Sequence, residues 1–310
     1  MTIQHASMRQ LKVFEAAATL RSFSRAADAL HMTQPGVSMH IKELETHAGI
    51  ALFERVGRQL FVTEAGQELL LRAREVLRSL KDAEDAFDSL RGLRRGRINL
   101  AVVSTAKYFA PRLLASFRED FPELEIRLAV NNRDAVIELL GTNDVDLAIM
   151  GRTPGSLDIV AQAFAENPHI IVGAANHPLA QRRRIPESAL SGETFIVREP
   201  GSGTRVAMQE FFDRRQLKLN VGMEMASNET IKQAVMAGMG LSFISQHTVE
   251  LELQTGRLVA FDVRGMPLMR HWHVAHLAKK RLSPTAAAFK AFVLSKGPGL
   301  LTPPPAPVGA

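Results

Sequence analysis

Three short segments of this 310-residue chain combine hydroxyls, cationic groups and glycines at spacings suited to holding an anion. Ser104-Thr105-Ala106-Lys107 follows an apolar run, and Arg198-Glu199-Pro200-Gly201-Ser202-Gly203-Thr204-Arg205 follows another, with two glycines that permit close backbone approach. Ser227-Asn228-Glu229-Thr230 precedes a third helical pattern. The first N–H groups of a helix have no partner inside it, so hydroxyls and cations gathered at a helix start attract negative charge. Asn131-Asn132-Arg133 and Gly151-Arg152 follow two further apolar runs and are weaker candidate loops. The candidates for a small anion are therefore Ser104, Thr105, Lys107, Asn131, Arg133, Arg152, Arg198, Ser202, Gly203, Thr204, Arg205 and Asn228. Ser and Thr are also ordinary helix caps, which leaves each loop a purely structural reading.

The elements that must carry these loops alternate. Strands are expected at 98–103, 124–130, 146–150, 169–174, 194–198, 222–226 and 241–245, with helices at 106–120, 133–140, 204–214 and 229–237 between them. Such alternation predicts an α/β region of parallel sheets with helices on both faces, and ligands of such sheets bind at the carboxyl ends of strands. A strand at 271–277 and a helix at 284–294 would return to a first subdomain, with crossings near 164–168 and 263–270.

The first ninety residues read differently. Val37, Ile41 and Leu44 recur at steps of four and three and give one buried stripe, while Gln34, Ser38 and Lys42 share a polar edge. Thr33 can cap this helix and Pro35 fits its first turn, where a missing N–H costs nothing. Ser24 is placed as the N-cap of a preceding short helix, whose Ala26, Ala27 and Leu30 allow a close crossing. Leu11, Phe14 and Ala18 stripe a supporting helix. Arg55-Val56-Gly57-Arg58-Gln59-Leu60-Phe61-Val62 reads as two short strands around a glycine turn. A winged helix-turn-helix for double-stranded DNA is expected: Ser24, Thr33, Gln34, Pro35, Ser38, His40 and Lys42 meet the groove or its phosphates, and Arg55 and Arg58 lie on backbone or minor groove. An ordinary small helical subdomain is the plainer alternative.

Leu69, Ala73, Val76, Leu80, Ala83, Phe87 and Leu90 continue as a heptad seam with charged flanks. The seam predicts a dimer, against the alternative of a helix packed only on its own domain. Residues 91–97 then carry two glycines and four arginines, a hinge.

The bulk numbers are compatible with this picture. Lys and Arg outnumber Asp and Glu by 38 to 32, the net charge is +6, and 46% of residues are hydrophobic. The modest basic excess favours polyanions. With no cysteine, disulfides and thiolate metal sites are excluded. No secretory apolar segment or bilayer-length apolar run is apparent, so a cytoplasmic chain with no membrane partner is expected. There is no Walker phosphate loop, no Rossmann glycine fingerprint and no Gly-x-Ser-x-Gly elbow, and no catalytic residue is assigned. His271, His273 and His276 lack an accompanying carboxylate and do not all face one way on a strand, so no metal is expected.

Ala26-Ala27, Leu30, Thr33-Gln34-Pro35, Val37-Ser38, Ile41, Leu44-Glu45, Gly49, Leu52-Phe53, Arg55 and Thr63-Glu64-Ala65-Gly66 resemble the signature of the LysR-type transcriptional regulators. Gly36 and Met39 depart from that family's usual residues. The resemblance implies a winged helix-turn-helix at 1–63, a dimerising linker helix at 64–91, a hinge at 92–96 and an effector domain at 97–296 like a periplasmic binding protein. Its first subdomain would be 97–164 with 270–296, its second 165–269, and the proline-rich 297–310 is expected to be disordered. It also implies that Ser104, Thr105, Ser202 and Thr204 line the effector cleft, and that dimers pair into tetramers, with RNA polymerase a possible partner. Residues 100–110 and 198–205 look like the subgroup that controls Calvin-cycle carbon-fixation (RuBisCO) operons, which implies activation of those operons. No resident cofactor is implied; the effectors would be sugar phosphates, phosphoenolpyruvate or NADPH. Regulators of sulfur and nitrogen assimilation share the layout, and a solute-binding module or an α/β enzyme are the readings from other classes.

Overall fold

The computed structural model describes residues 2–57, 59–90 and 95–301 of the chain, which divides into two compact units, Met1–Leu90 and Arg91–Ala310. In the first, α1 (Met8–Leu20) starts in a capping box between Ser7 and Gln10. Helix α2 (Phe23–Ala29) and helix α3 (Gln34–Ala48) follow, then β1 (Phe53–Val56), β2 (Gln59–Val62) and the long α4 (Glu64–Leu90). Val37, Ile41 and Leu44 are buried against Leu11, Phe14, Ala26 and Ala27, as their period requires. Thr33 Oγ1 accepts from Gly36 N, Pro35 lies in the first turn, and α3 ends on left-handed Gly49. The cap of α2 is not Ser24 but Ser22, whose hydroxyl accepts from Arg25 N. Ser24 is exposed inside the first turn, because the helix already begins at Phe23, whose ring stands edge-on to Phe53.

The wing pairs β1 and β2 antiparallel. The Glu45 carboxylate ties α3 to its root, accepting from Leu52 N at 2.8 Å and Phe53 N at 3.2 Å. A side chain at Gly66 would put its Cβ 2.2 Å from the Leu52 carbonyl oxygen, so only glycine lets α4 start this close to the wing. The heptad seam is divided. Ala73 is buried and Leu69 half-buried in the core of this same unit, with Leu70 and Leu77, and Arg74 reaches Glu15 and Thr19 on α1. Farther on, Val76, Leu80 and Phe87 are 42%, 44% and 62% exposed, and Ala83 is exposed. The Leu90 side chain lies outside the described residues.

In the second unit one lobe holds a five-stranded sheet in the order β4-β3-β5-β12-β6, built from β3 (Arg95–Val103), β4 (Glu123–Asn131), β5 (Leu147–Met150), β6 (Ile159–Glu166) and β12 (His271–Leu277). Strands β3, β4 and β5 are parallel, while β12 runs antiparallel between β5 and β6. Helices α5 (Ala110–Asp120), α6 (Arg133–Gly141) and α10 (Pro284–Leu300) belong to this lobe, whose core gathers Phe109, Phe117, Trp272 and Phe289. Asp146 and Lys280, both side chains buried and 2.7 Å apart, fasten the returning segment.

The other lobe contains β7 (His169–Ala174), β8 (Thr194–Arg198), α7 (Gly203–Arg214), β9 (Asn220–Met225), α8 (Asn228–Met236), β10 (Ser242–Ser245), α9 (Glu250–Gln254) and β11 (Leu258–Ala260). The expectation of parallel sheets holds only in part here: β10 and β11 both run antiparallel to β7, while β8 pairs in parallel with β9 and makes a single parallel bridge from Phe195 to Leu241. The lobe is entered and left through one place, so its central strand is flanked by strands heading back toward the exit. The two crossings lie side by side, Asn167 exchanging backbone hydrogen bonds with Arg270 (2.7 and 3.3 Å) and His169 with Leu268 (3.0 and 2.9 Å).

Three boundaries differ from expectation. The helix foreseen at 106–120 is split into a tight turn, Ala106–Tyr108, and α5, which has Pro111 in its first turn. Strand β3 already begins at Arg95 within the expected hinge, of which residues 92–94 lie outside the described residues. Residues 297–301 are not disordered: α10 continues through Pro298 to Leu300, Leu301 is buried in the core, and the Arg112 guanidinium donates to its carbonyl oxygen. The proline-rich residues 303–307 lie outside the described residues.

Candidate functional site

The carboxyl ends of β3, β5 and β8 face one cavity between the two lobes. Ser104 and Thr105 follow β3, Arg133 opens α6, Arg152 follows β5, and Arg198, Ser202, Gly203 and Thr204 come from the turn between β8 and α7. Thr105, Ser202 and Thr204 are buried there. The cleft is nearly shut, with about 30 Å³ of free space, room for little more than ordered water.

Arg198, only 4% exposed, organises the closure. Its guanidinium donates to both Glu199 oxygens (2.7 and 2.8 Å), to Asn228 Oδ1 (2.7 Å) and, across the cleft, to Ser104 Oγ (3.0 Å). Asn228 Nδ2 donates back to the Ser104 carbonyl oxygen at 3.3 Å. The Tyr108 hydroxyl donates to Glu229, and Asp134 N to the Gly201 carbonyl oxygen, two further ties between lobes. Gly201 has φ +83°, a left-handed backbone that favours glycine, and it lies close against the Asp134 carboxylate.

Positive charge borders the remaining wall. Arg133 Nε donates to the Arg152 carbonyl oxygen, Arg152 donates to Glu210, and Arg270 Nη1 stands 3.9 Å from the same carboxylate. Burial opposes ionisation of Glu210, but the Arg152 hydrogen bond and the neighbouring guanidiniums outweigh it and hold its carboxyl below the usual range. Burial lowers the Arg270 guanidinium; Glu210 opposes this, while Arg152, Arg214 and Arg133 add to it. Burial likewise pushes His169 down to about 4, although its ring nitrogen is 3.1 Å from the Asn167 carbonyl oxygen. The histidine is thus neutral near pH 7. Guanidiniums, buried hydroxyls and the starts of α6 and α7 together can bind a small anion; Ser202 makes no side-chain cap bond to α7.

Four predicted residues fall elsewhere. Lys107 stands 3.8 Å from Glu229 and lies over the Tyr108 ring, engaged outside the cavity. Asn131 ends β4 and offers its carbonyl oxygen to Ser104 N, while Asn132, the α6 cap, lines the cavity in its place. Arg205, half-buried on α7, is not at the cavity wall, and its Nη1 has no hydrogen-bond partner. Asn228 is buried behind Arg198 and positions it. Asn132 and Gly151, from the two weaker candidate loops, line the cavity, Asn132 also capping α6. Asn167, His169 and Arg270 line it without having been foreseen. His271 and His273 border a neighbouring cavity, and His276 Nε2 is 3.1 Å from Lys290 Nζ.

In the first unit, the outward side of α3 presents Gln34, Pro35, Met39 and Lys42, all exposed, with Gln34 Nε2 donating to Ser38 Oγ at 2.9 Å. His40 does not belong to this group. It sits about 160° around the helix from Lys42, with Nδ1 buried 3.8 Å from Glu43, so it faces away from a groove read by Gln34 and Lys42. Arg55 is exposed on the wing, 5.9 Å above the Phe23 ring, and Arg58 lies outside the described residues.

A winged helix-turn-helix and a two-lobed α/β domain with a polar cleft define a DNA-binding regulator with an effector domain. The chain belongs to the LysR family: residues 8–67 match the bacterial regulatory helix-turn-helix of that family and residues 91–298 the LysR substrate binding domain. It is 47% identical over 292 residues, 94% of this chain and 97% of the relative, to a RuBisCO operon transcriptional regulator of Allochromatium vinosum. It is 46% identical over 288 residues, 93% of this chain and 91% of the relative, to the HTH-type transcriptional regulator CfxR of Cupriavidus necator. The solved regulatory domain of Synechocystis PCC6803 CcmR in complex with 2-PG is 42% identical, covering 64% of this chain and 96% of that one, with a TM-score of 0.63. No described helix is long and apolar enough to cross a membrane.

Proposed function

We propose that this protein regulates carbon-fixation operons, binding their promoters in a manner set by a small anionic, phosphorylated metabolite held between the lobes. The observation that carries the reading is the cleft wall itself, where Arg133, Arg152 and Arg270 stand beside the buried hydroxyls of Thr105 and Thr204. The names of the relatives support the operon class, and the 2-PG complex of the CcmR regulatory domain supports binding of a small effector by a domain of this kind. With about 30 Å³ free in the shut cleft, phosphoenolpyruvate and small sugar phosphates require a modest parting of the lobes, and NADPH a much wider one. A ligand shifts promoter binding only through its preference for one arrangement of the lobes. The exposed Val76, Leu80 and Phe87 edge of α4 serves dimerisation, and pairs of dimers form tetramers that activate transcription alongside RNA polymerase.

The test is a mobility-shift titration of the full chain on a RuBisCO promoter fragment and on random DNA, with and without phosphoenolpyruvate. Preference for the promoter, altered by phosphoenolpyruvate in the native protein and unaltered in Thr105→Ala and Thr204→Ala, is expected. Equal binding to random DNA would refute the regulator reading. An effect that persists in both variants would move the ligand out of the cleft.

A further inference from the structure

A second cavity, of about 370 Å³, lies behind the cleft, and the two share Gly151, Arg152 and Arg270. Its volume is that of a small-ligand site, and it is already open where the cleft is shut. Its charge is one-sided. Arg152 and Arg270 come from the first lobe and the crossing and Arg214 and Arg215 from the end of α7, while Glu210 is the lone carboxylate in the wall; the His271 ring adds a hydrogen-bonding group from the start of β12. Arg215 is occupied, 2.6 Å from Glu187 and stacked 4.0 Å over Phe211. Arg214 and His271 stand exposed at the rim. Glu210 alone therefore answers both Arg152 and Arg270, and those two guanidiniums, with Arg214, act unfavourably on one another in a partly dry site.

From this arrangement we propose that the second cavity is an anion site in its own right, for a compact polyphosphate, and that it draws on the same two guanidiniums as the cleft. A polyphosphate is the fitting class because guanidiniums approach from two walls, more charge than one carboxylate can answer. Occupancy relieves the repulsion among the arginines and turns Arg152 and Arg270 toward the new anion. The cleft then loses positive charge, so the two sites oppose each other. By linkage each ligand weakens the other by the same factor. This coupling, though not the site, rests on the cleft binding an anion as proposed above.

Calorimetric titration of the full chain with inorganic pyrophosphate at fixed ionic strength tests the site. Arg214→Glu and His271→Glu, both at the exposed rim, are expected to weaken pyrophosphate binding roughly tenfold or more, with thermal midpoints unchanged. Thr204→Ala, altered in the cleft, should bind pyrophosphate as the native chain does. Native affinity in both rim variants would overturn the proposal, as would a loss seen only in Thr204→Ala, which would put pyrophosphate in the cleft. Phosphoenolpyruvate titrated at saturating pyrophosphate should bind more weakly than without it; equal binding would overturn the coupling. If phosphoenolpyruvate does not bind at all, the cleft reading fails, and the rim variants still decide the second site.

Discussion

Arg198 Nη2 stands 3.0 Å from Ser104 Oγ, so one guanidinium rooted in the second lobe touches the loop that ends the first strand of the other. Glu199 takes two more of its hydrogens and Asn228 a third, which fixes the group and neutralises most of its charge. Arg198 is therefore a strut across the cleft more than a free cation for a ligand. On the opposite wall Arg152 and Arg270 share the single carboxylate of Glu210, so more of their charge is left for a ligand.

Removing the two ends of this contact should have unequal effects. Ser104→Ala deletes one hydrogen bond and is expected to cost about 1 kcal/mol. Arg198→Ala leaves a largely buried carboxylate and amide without their partner and should cost about 3 kcal/mol or more. Chemical denaturation of the full chain reads both, and equal losses would contradict the strut.

On α3, Lys42 is exposed on the side expected to meet phosphate, and Gln34 is held by Ser38 at the edge expected to meet bases. Lys42→Ala should weaken binding to all DNA alike and lower the salt dependence by about one counterion. Gln34→Ala should reduce the preference for the promoter over random DNA, and His40→Ala should change neither. Titrations at several salt concentrations separate the three.

Leu80 is 44% exposed on the part of α4 that its own unit leaves uncovered. Leu80→Asp is expected to shift the sedimentation equilibrium toward monomer with little loss of thermal stability. Ala73→Asp, aimed at the buried part of the same seam, should instead destabilise the fold by several kcal/mol, on the order of an unpaired buried charge. If Leu80→Asp sediments like the native chain, the exposed edge is not the dimer contact.

His169, pushed down to about 4 by burial, is stacked on Phe243. An unfolded histidine takes its proton near pH 6.5, so below that the unfolded chain binds more protons than the folded one. The stability owed to the neutral ring is complete above about pH 6.5 and is lost as pH falls toward 4, by roughly 3 kcal/mol in all. His169→Phe keeps the stacking and removes the titration. Its melting temperature should fall less than the native value between about pH 7 and pH 5; a parallel fall would assign the acid sensitivity elsewhere.

Local patterns were legible from the sequence, and contacts made by distant segments were not. Val37, Ile41 and Leu44 declare their burial by period, and Thr33 and Pro35 declare the helix start. Strand β6 went unseen because Ile159-Val160-Ala161-Gln162-Ala163-Phe164-Ala165-Glu166 mixes polar residues into an edge strand that is largely uncovered. The hydroxyl loops of the cleft were found because each sits at its own helix start. Asn167, His169 and Arg270 were missed because they meet only where the chain crosses between lobes twice. Lys107 and His40 were misplaced for a related reason: a charged or polar side chain does not announce in sequence which neighbour will claim it, here Glu229 and Glu43.

The paired crossings at Asn167–Arg270 and His169–Leu268 have a mechanical meaning. Two strands joined by backbone hydrogen bonds cannot slide past each other or stretch, yet such a ribbon bends easily about an axis across it. The first and last elements of the unit, β3 and α10, both belong to one lobe, so that lobe is the frame and the other a lever on this ribbon. Anything that wedges or draws the lobes about this ribbon is therefore expected to change their angle and not their spacing, a signal of rotation and not of distance.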